Sequence, residues 1–143
     1  MKIRADFPTV DYYGDWRDNT FIVYGQADIV YGRRGNDYIA DGVGSPQNYQ
    51  DIFDGGEGDD TLISLSGPDR LFGDEGRDVF EIDTGRWKVI ADGGEGWDKV
   101  TLNLDTSDFS MYYDEEGRQV YETDNGAMII LQDVEKVVFD ILL

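Results

Sequence analysis

Gly55-Gly56-Glu57-Gly58-Asp59-Asp60-Thr61-Leu62-Ile63 is the stretch from which the rest of the chain is read. It follows the pattern G-G-x-G-x-D-x-U-x, where U is a large apolar residue. Gly93-Gly94-Glu95-Gly96-Trp97-Asp98-Lys99-Val100 repeats it. Gly32-Arg33-Arg34-Gly35-Asn36-Asp37-Tyr38-Ile39 and Gly73-Asp74-Glu75-Gly76-Arg77-Asp78-Val79-Phe80 each lack only the second glycine. A weaker copy begins at Gly14 and carries Asn19 at the Asp position. Degraded copies lie between the good ones: Val23 to Tyr31 keeps Asp28 and Val30, Pro46 to Asp54 keeps Asp51 and Phe53, and Ser64 to Phe72 keeps Gly67, Asp69 and Leu71.

The better copies start at residues 14, 32, 55, 73 and 93, with strides of 18, 23, 18 and 20. The unit is thus two nonapeptides, and in repeats of this class each nonapeptide is a loop followed by a short strand. Successive loops then fall on opposite edges of a solenoid, and every second loop stacks on the one before. All glycine-rich loops share one edge and the degraded loops share the other. The longer strides place insertions near Asp41–Ser45 and Ile82–Asp83, both on the degraded edge.

The residue types say what such loops hold. Glycine permits positive φ angles and close backbone approach, so that carbonyls turn inward. The Asp at position six is short and hard, and suits a cation that takes six to eight oxygens. With no Cys and no His anywhere, thiolate and imidazole sites are absent, and oxygen-only ligation favours calcium or magnesium. An ion between stacked loops receives one carboxylate from each, pairing Asp37 with Asp60, Asp60 with Asp78 and Asp78 with Asp98. A weaker fourth site pairs Asn19 with Asp37. The candidate ligand residues, through side chain or backbone, are Gly32, Arg34, Gly35, Asn36 and Asp37; Gly55, Gly56, Glu57, Gly58, Asp59 and Asp60; Gly73, Asp74, Glu75, Gly76 and Asp78; and Gly93, Gly94, Gly96 and Asp98. Asp28, Asp51 and Asp69 on the other edge read as turn residues.

The apolar residue at position eight is expected to point inward: Phe21, Val30, Ile39, Phe53, Leu62, Leu71, Phe80 and Val100. About one such residue per nonapeptide makes a thin core, so bound metal is expected to supply much of the folding free energy. The charge agrees. The chain has 31 acidic against 12 basic residues, a net −19, which opposes compaction and disfavours nucleic acid or an anionic membrane as partner. Four divalent ions would add eight positive charges. No apolar run approaches the roughly 20 residues of a membrane span, and Met1 to Trp16 lacks the apolar segment of a cleaved signal peptide.

These repeats resemble the RTX (repeats-in-toxin) family of haemolysin-type calcium-binding proteins, over about residues 14–101 and more weakly beyond. The resemblance implies an all-β, right-handed parallel β-roll that binds several Ca2+ ions, folds outside the cell and leaves by type I secretion. A single domain is expected: residues 1–13 as N-terminal cap, 14–101 as the roll, and 102–143 as a C-terminal antiparallel β cap. Within the last segment Ser110–Tyr113, Gln119–Glu122, Ala127–Gln132 and Lys136–Ile141 read as strands, with turns at Asp114–Gly117 and Asp124–Gly126. Its end, Phe139-Asp140-Ile141-Leu142-Leu143, is similar to the acid-then-apolar endings of some type I substrates.

No catalytic constellation is visible. Without His or Cys there is no nucleophile triad, and no G-x-S-x-G elbow occurs. Two non-enzymatic readings remain open. One is a monomeric secretion and folding module ordered by calcium. The other is a calcium-dependent binding module for an acidic polysaccharide or a cell surface, adhesin-like or similar to the polysaccharide-binding modules of secreted alginate epimerases. Tyr12, Tyr13, Trp16, Tyr24 and Tyr31 near Arg33-Arg34 are the residues that would serve the second, or else pack a cap on the first turn.

Overall fold

A computed structural model describes residues 2–5, 10–24, 27–42, 49–83, 85–104 and 109–141. The residues after Gly42 that carry the longest insertion, and Leu142 and Leu143 at the C-terminus, lie outside these. Sixteen strands and no helix occur among the described residues: β1 (Lys2–Ala5), β2 (Asp11–Tyr13), β3 (Thr20–Val23), β4 (Ile29–Tyr31), β5 (Tyr38–Asp41), β6 (Ile52–Glu57), β7 (Thr61–Ser64), β8 (Arg70–Gly76), β9 (Val79–Asp83), β10 (Lys88–Asp92), β11 (Glu95–Gly96), β12 (Lys99–Leu104), β13 (Phe109–Tyr113), β14 (Gln119–Thr123), β15 (Met128–Gln132) and β16 (Lys136–Ile141). They form two sheets. One runs β1-β3-β5-β7-β9-β12-β16 and is parallel throughout. The other runs β2-β4-β6-β8-β10-β15-β14-β13, with β11 added beside β8. The chain alternates between the sheets, so this is the expected parallel β-roll.

The repeat period sets the register. Phe21 pairs with Ile39, Ile39 with Leu62, Leu62 with Phe80, and Phe80 with Val100. In the other sheet Val30 pairs with Phe53, Phe53 with Leu71, and Leu71 with Ala91. Each expected inward residue, from Phe21 to Val100, is fully buried. The core is thicker than one residue per nonapeptide, because strands of four to six residues send a second side chain inward two positions later. Val23, Ile82 and Leu102 are this second layer, and β10 adds Val89 and Ala91, all fully buried. β12 shows the alternation in full: Val100, Leu102 and Leu104 are buried while Lys99, Thr101 and Asn103 are half-exposed.

The C-terminal segment is antiparallel only in part. β13 pairs with β14, and β14 with β15, in antiparallel fashion across turns at Asp114–Gly117 and Thr123–Gly126. β15, however, also lies parallel to β10, and β16 parallel to β12. These two strands form one more turn of the roll without a glycine motif between them. Phe109, Tyr121 and Phe139 stack at this end with ring centres 5.0 to 6.1 Å apart, tying the β13–β14 hairpin to β16.

Phe80 sits at 0% exposure between Leu62 and Val100, whereas its neighbour Val79 is 39% exposed. Phe80→Ala is therefore expected to lower the unfolding free energy by about 3–5 kcal/mol, and Val79→Ala by no more than about 0.5 kcal/mol. Denaturant titration at saturating calcium measures both.

Candidate metal centre

The glycine-rich loops lead from the second sheet to the first, which the chain enters just after each loop's sixth residue; β6 and β8 extend into their loops as far as Glu57 and Gly76. The loops stack by main-chain bonds of their own. The amide of Glu57 donates to the carbonyl of Arg33 (2.7 Å), and the amide of Gly58 to that of Glu75 (2.8 Å). Position four is held by glycine in every good copy: Gly35, Gly58, Gly76 and Gly96 have φ between +104° and +146°. A Cβ there would also overlap the carbonyl oxygen of the preceding turn. Position two is less strict. Arg33 (φ 79°) and Asp74 (φ 71°) occupy it in the left-handed region that other residues tolerate at modest strain, which is why two copies can lack the second glycine.

The carboxylates at position six form a ladder. The amide of Asn19 donates to Asp37 Oδ1 (2.6 Å), that of Asp37 to Asp60 Oδ1 (2.7 Å), that of Asp60 to Asp78 Oδ1 (2.8 Å) and that of Asp78 to Asp98 Oδ1 (2.8 Å). One oxygen of each carboxylate is thereby satisfied. The other is not: Oδ2 of Asp37, Asp60, Asp78 and Asp98 is buried with no hydrogen-bond donor. A buried charged oxygen without a partner carries a large desolvation penalty.

Each of these oxygens lies where a Cβ on the position-one glycine of its own loop would fall. A Cβ on Gly32 would collide with Asp37 Oδ2 and lie 2.5 Å from the carbonyl oxygen of Gly55; one on Gly73 would collide with Asp78 Oδ2 and lie 2.7 Å from the carbonyl oxygen of Gly93. Glycine at position one keeps open a small cradle where a carboxylate oxygen and the next turn's carbonyl oxygen converge. Two hard oxygens at such a cradle, with no ion pair to the ladder carboxylates among the described residues, fit a hard divalent ion such as calcium. The first turn fits less well. Asn19 Oδ1 lies in that place but already accepts from the amide of Asp15 (2.8 Å), and it is neutral.

Burial raises the proton affinity of the whole ladder. It pushes Asp60 up to about 7, against a donated backbone bond and with the charges of Asp78 and Asp37 adding to it. Asp78 rises to about 7 for the same reason, with the charge of Asp98 adding to it. Asp37 and Asp98 are also raised, chiefly by burial.

Residues 13–44 and 48–85 match the RTX calcium-binding nonapeptide repeat, in four copies. The chain belongs to that family. Searches of curated proteins and of solved structures gave no match.

Within the RTX repeats the sequence-predicted residues divide by what they offer. The position-one glycines and the position-six aspartates meet at the cradles. Arg34, Glu57 and Glu75 face solvent, and Arg34 pairs with Glu57 at 3.2 Å, so only their backbone faces the loop. Asn36 and Asp59 are exposed and bond between turns: Asp59 N donates to Asn36 Oδ1, and Arg77 N to Asp59 Oδ1. Asp18, which is not among the candidate ligands read from the sequence, begins this outer row by accepting from Asn36 N (2.8 Å). Its position five in the Gly14 loop was the available signal.

The degraded edge has a ladder too. Asp28 N donates to Asp51 Oδ1, and Asp51 N to Asp69 Oδ1. These residues are buried at 0 to 5% exposure and are more than turn formers. Asp41, from the end of β5, joins Asp51 and Asp69, with one oxygen from each within 4.8 Å of the others. At Asp69 and Asp41 the second oxygens differ from those of the glycine edge. Asp69 Oδ2 accepts from Ser64 Oγ, and both oxygens of Asp41 accept from the amides of Leu65 and Ser66. Burial pushes Asp41, Asp51 and Asp69 up to about 6, 7 and 8, so this edge retains protons near neutrality.

The raised values fix the pH response. A carboxyl with a folded pKa near 7 and an unfolded value of about 3.9 stabilises the metal-free fold fully below the unfolded value, and loses that contribution as pH rises through 7. In calcium-free protein, far-ultraviolet circular dichroism should gain β signal on acidification from about pH 8 to about pH 4.5. Calcium affinity should fall over the same window, since ion and proton compete for the same oxygens. A flat signal across that range would count against the carboxylate ladder as the controlling element.

Proposed function

We propose that this RTX domain is a calcium-ordered folding module that works outside the cell and reaches it by type I secretion, without catalytic activity of its own. The observation that carries the reading is the set of buried Oδ2 atoms of Asp37, Asp60, Asp78 and Asp98, each lacking a donor. Without a cation these oxygens oppose the fold; with one in each cradle they hold successive turns together. The net charge of −19 pushes the same way. Calcium at three to four of these cradles is the expected load. An affinity typical of extracellular modules would leave the chain unfolded at cytosolic calcium and folded after export, which is the order of events that passage through a secretion channel needs. The test is a calcium titration followed by circular dichroism: a largely unfolded chain in chelator, and β structure appearing at roughly 0.1–1 mM calcium. Spectra unchanged across the titration would sink the reading.

A second reading, binding of an acidic polysaccharide, is favoured by one surface. Trp16 is 70% exposed and Tyr13 48% exposed, beside the first turns. Arg17 lies over the Trp16 ring (4.8 Å), Arg33 over Tyr13 (5.1 Å), and Tyr13 stacks on Tyr31 (5.2 Å). An aromatic surface backed by guanidinium groups, on an otherwise acidic chain, suits sugar rings that carry carboxylates. A glycan array read with calcium and with chelator is expected to show calcium-dependent acidic-glycan signals that Trp16→Ala abolishes. Retention of those signals by the variant would remove this surface from consideration.

A further inference from the structure

The turn that closes the roll has none of the sequence signs of a metal loop. Gln132-Asp133-Val134-Glu135-Lys136 joins β15 to β16 and lies beyond the residues that match the family. Its backbone nevertheless takes the place of the next glycine loop. In the repeats, the amide of a position-one glycine donates to the carbonyl just before the next position one, as Gly32 does to Asp54 (2.7 Å). Gly93 does the same to Gln132 (2.9 Å), which makes Asp133 the counterpart of a position-one glycine. Entry into the following strand also matches: Lys99 N donates to the carbonyl of Asp78 (2.9 Å), and Lys136 N to that of Asp98 (3.0 Å).

Glu135 then stands in for the position-six aspartate. Its Oε2 accepts from the amide of Asp98 (2.5 Å), as Asp98 Oδ1 accepts from that of Asp78. The loop is three residues long instead of six, and the extra methylene of Glu restores the reach that the shorter loop gives up. The cradle is present as well. A Cβ on Gly93 would collide with the carbonyl oxygen of Asp133 and lie 2.5 Å from Asp98 Oδ2. That Asp98 oxygen is buried without a donor on a residue of 0% exposure. Negative charge collects around it from Glu135, Asp92 and Asp133, all of which act on Asp98.

We propose that Asp98, the Asp133 carbonyl oxygen and the Glu135 carboxylate form a calcium site that fastens the last turn of the chain to the glycine-loop ladder. The proposal rests on the calcium reading of the repeats. It adds that the final ion of the row is held by a turn that is not a repeat, and that β16 is ordered by it. The row of ions then reaches one turn further toward the C-terminus than the pairing of Asp78 with Asp98 that the sequence indicates.

Native mass spectrometry of the whole chain at saturating calcium counts the ions. Glu135→Gln keeps an acceptor for the Asp98 amide and removes the charge, so it is expected to bind one calcium fewer than the unaltered chain. Hydrogen exchange should show the Lys136–Ile141 amides opening roughly tenfold or more faster in the variant. Asp60→Asn, which removes the corresponding charge in the middle of the roll, is expected to lose an ion without singling out β16. Equal ion counts for Glu135→Gln and the unaltered chain would overturn the proposal while leaving calcium binding by the repeats intact. Absence of any calcium on the unaltered chain would instead remove the reading on which it rests. If Glu135→Gln does not fold at any calcium concentration, the side-chain carboxylate 13C resonance of Glu135 in unaltered protein decides: it should shift as the last ion binds, and a resonance indifferent to calcium overturns the site.

Discussion

Everything in this structure depends on how one carboxylate is divided between two tasks. At position six of each glycine loop, Oδ1 accepts the amide of the preceding turn's equivalent residue, and Oδ2 is left in a buried place without a donor. The first contact sets the spacing and phase of the turns. The second leaves a buried carboxylate oxygen that no main-chain amide among the described residues meets. A divalent cation is the natural partner, since it can be shared between a carboxylate and the next turn's carbonyl oxygen. Glycine at position one follows from this division, because any side chain would fill the cradle.

The two edges of the roll show the same skeleton with different endings. Both stack carboxylates through backbone amides. On the glycine edge the second oxygens converge on open cradles. On the degraded edge Ser64, Leu65 and Ser66 supply donors to Asp69 and Asp41, and burial raises the three neighbouring carboxyls into the neutral range. An edge whose Asp41 and Asp69 take local donors does not depend on the glycine pattern there, and it takes the insertions. That accounts for the uneven strides, with the extra residues falling after β5 and around the β9–β10 connection.

The apolar rungs and the carboxylate ladder are coupled by the same register. Phe21, Ile39, Leu62, Phe80 and Val100 lie two residues beyond the ladder residues Asn19, Asp37, Asp60, Asp78 and Asp98, so a slip of one residue would expose the core and misplace every carboxylate together. Ladder and core therefore share one register, so a cation that fixed the ladder would hold the apolar rungs in place as well.

The sequence alone determined the repeat period, the all-β roll, the edge that carries glycine and aspartate, and the inward rungs. It could do so because in a stacked solenoid the long-range contacts recur at the local period: Asp60 meets Asp78 because 18 residues make one turn. Whatever breaks the period was hidden. Asp41 reaches Asp51 and Asp69 from a strand position with no place in the nonapeptide. Ala91 takes a core rung in a copy too degraded to align. Glu135 meets Asp98 across 37 residues, through a hairpin that returns the chain to the stack. Only the tertiary structure decided these, because a strand end, a degraded copy and a folded-back hairpin are brought to the stack by packing, and none of them leaves a mark at a fixed spacing in the chain.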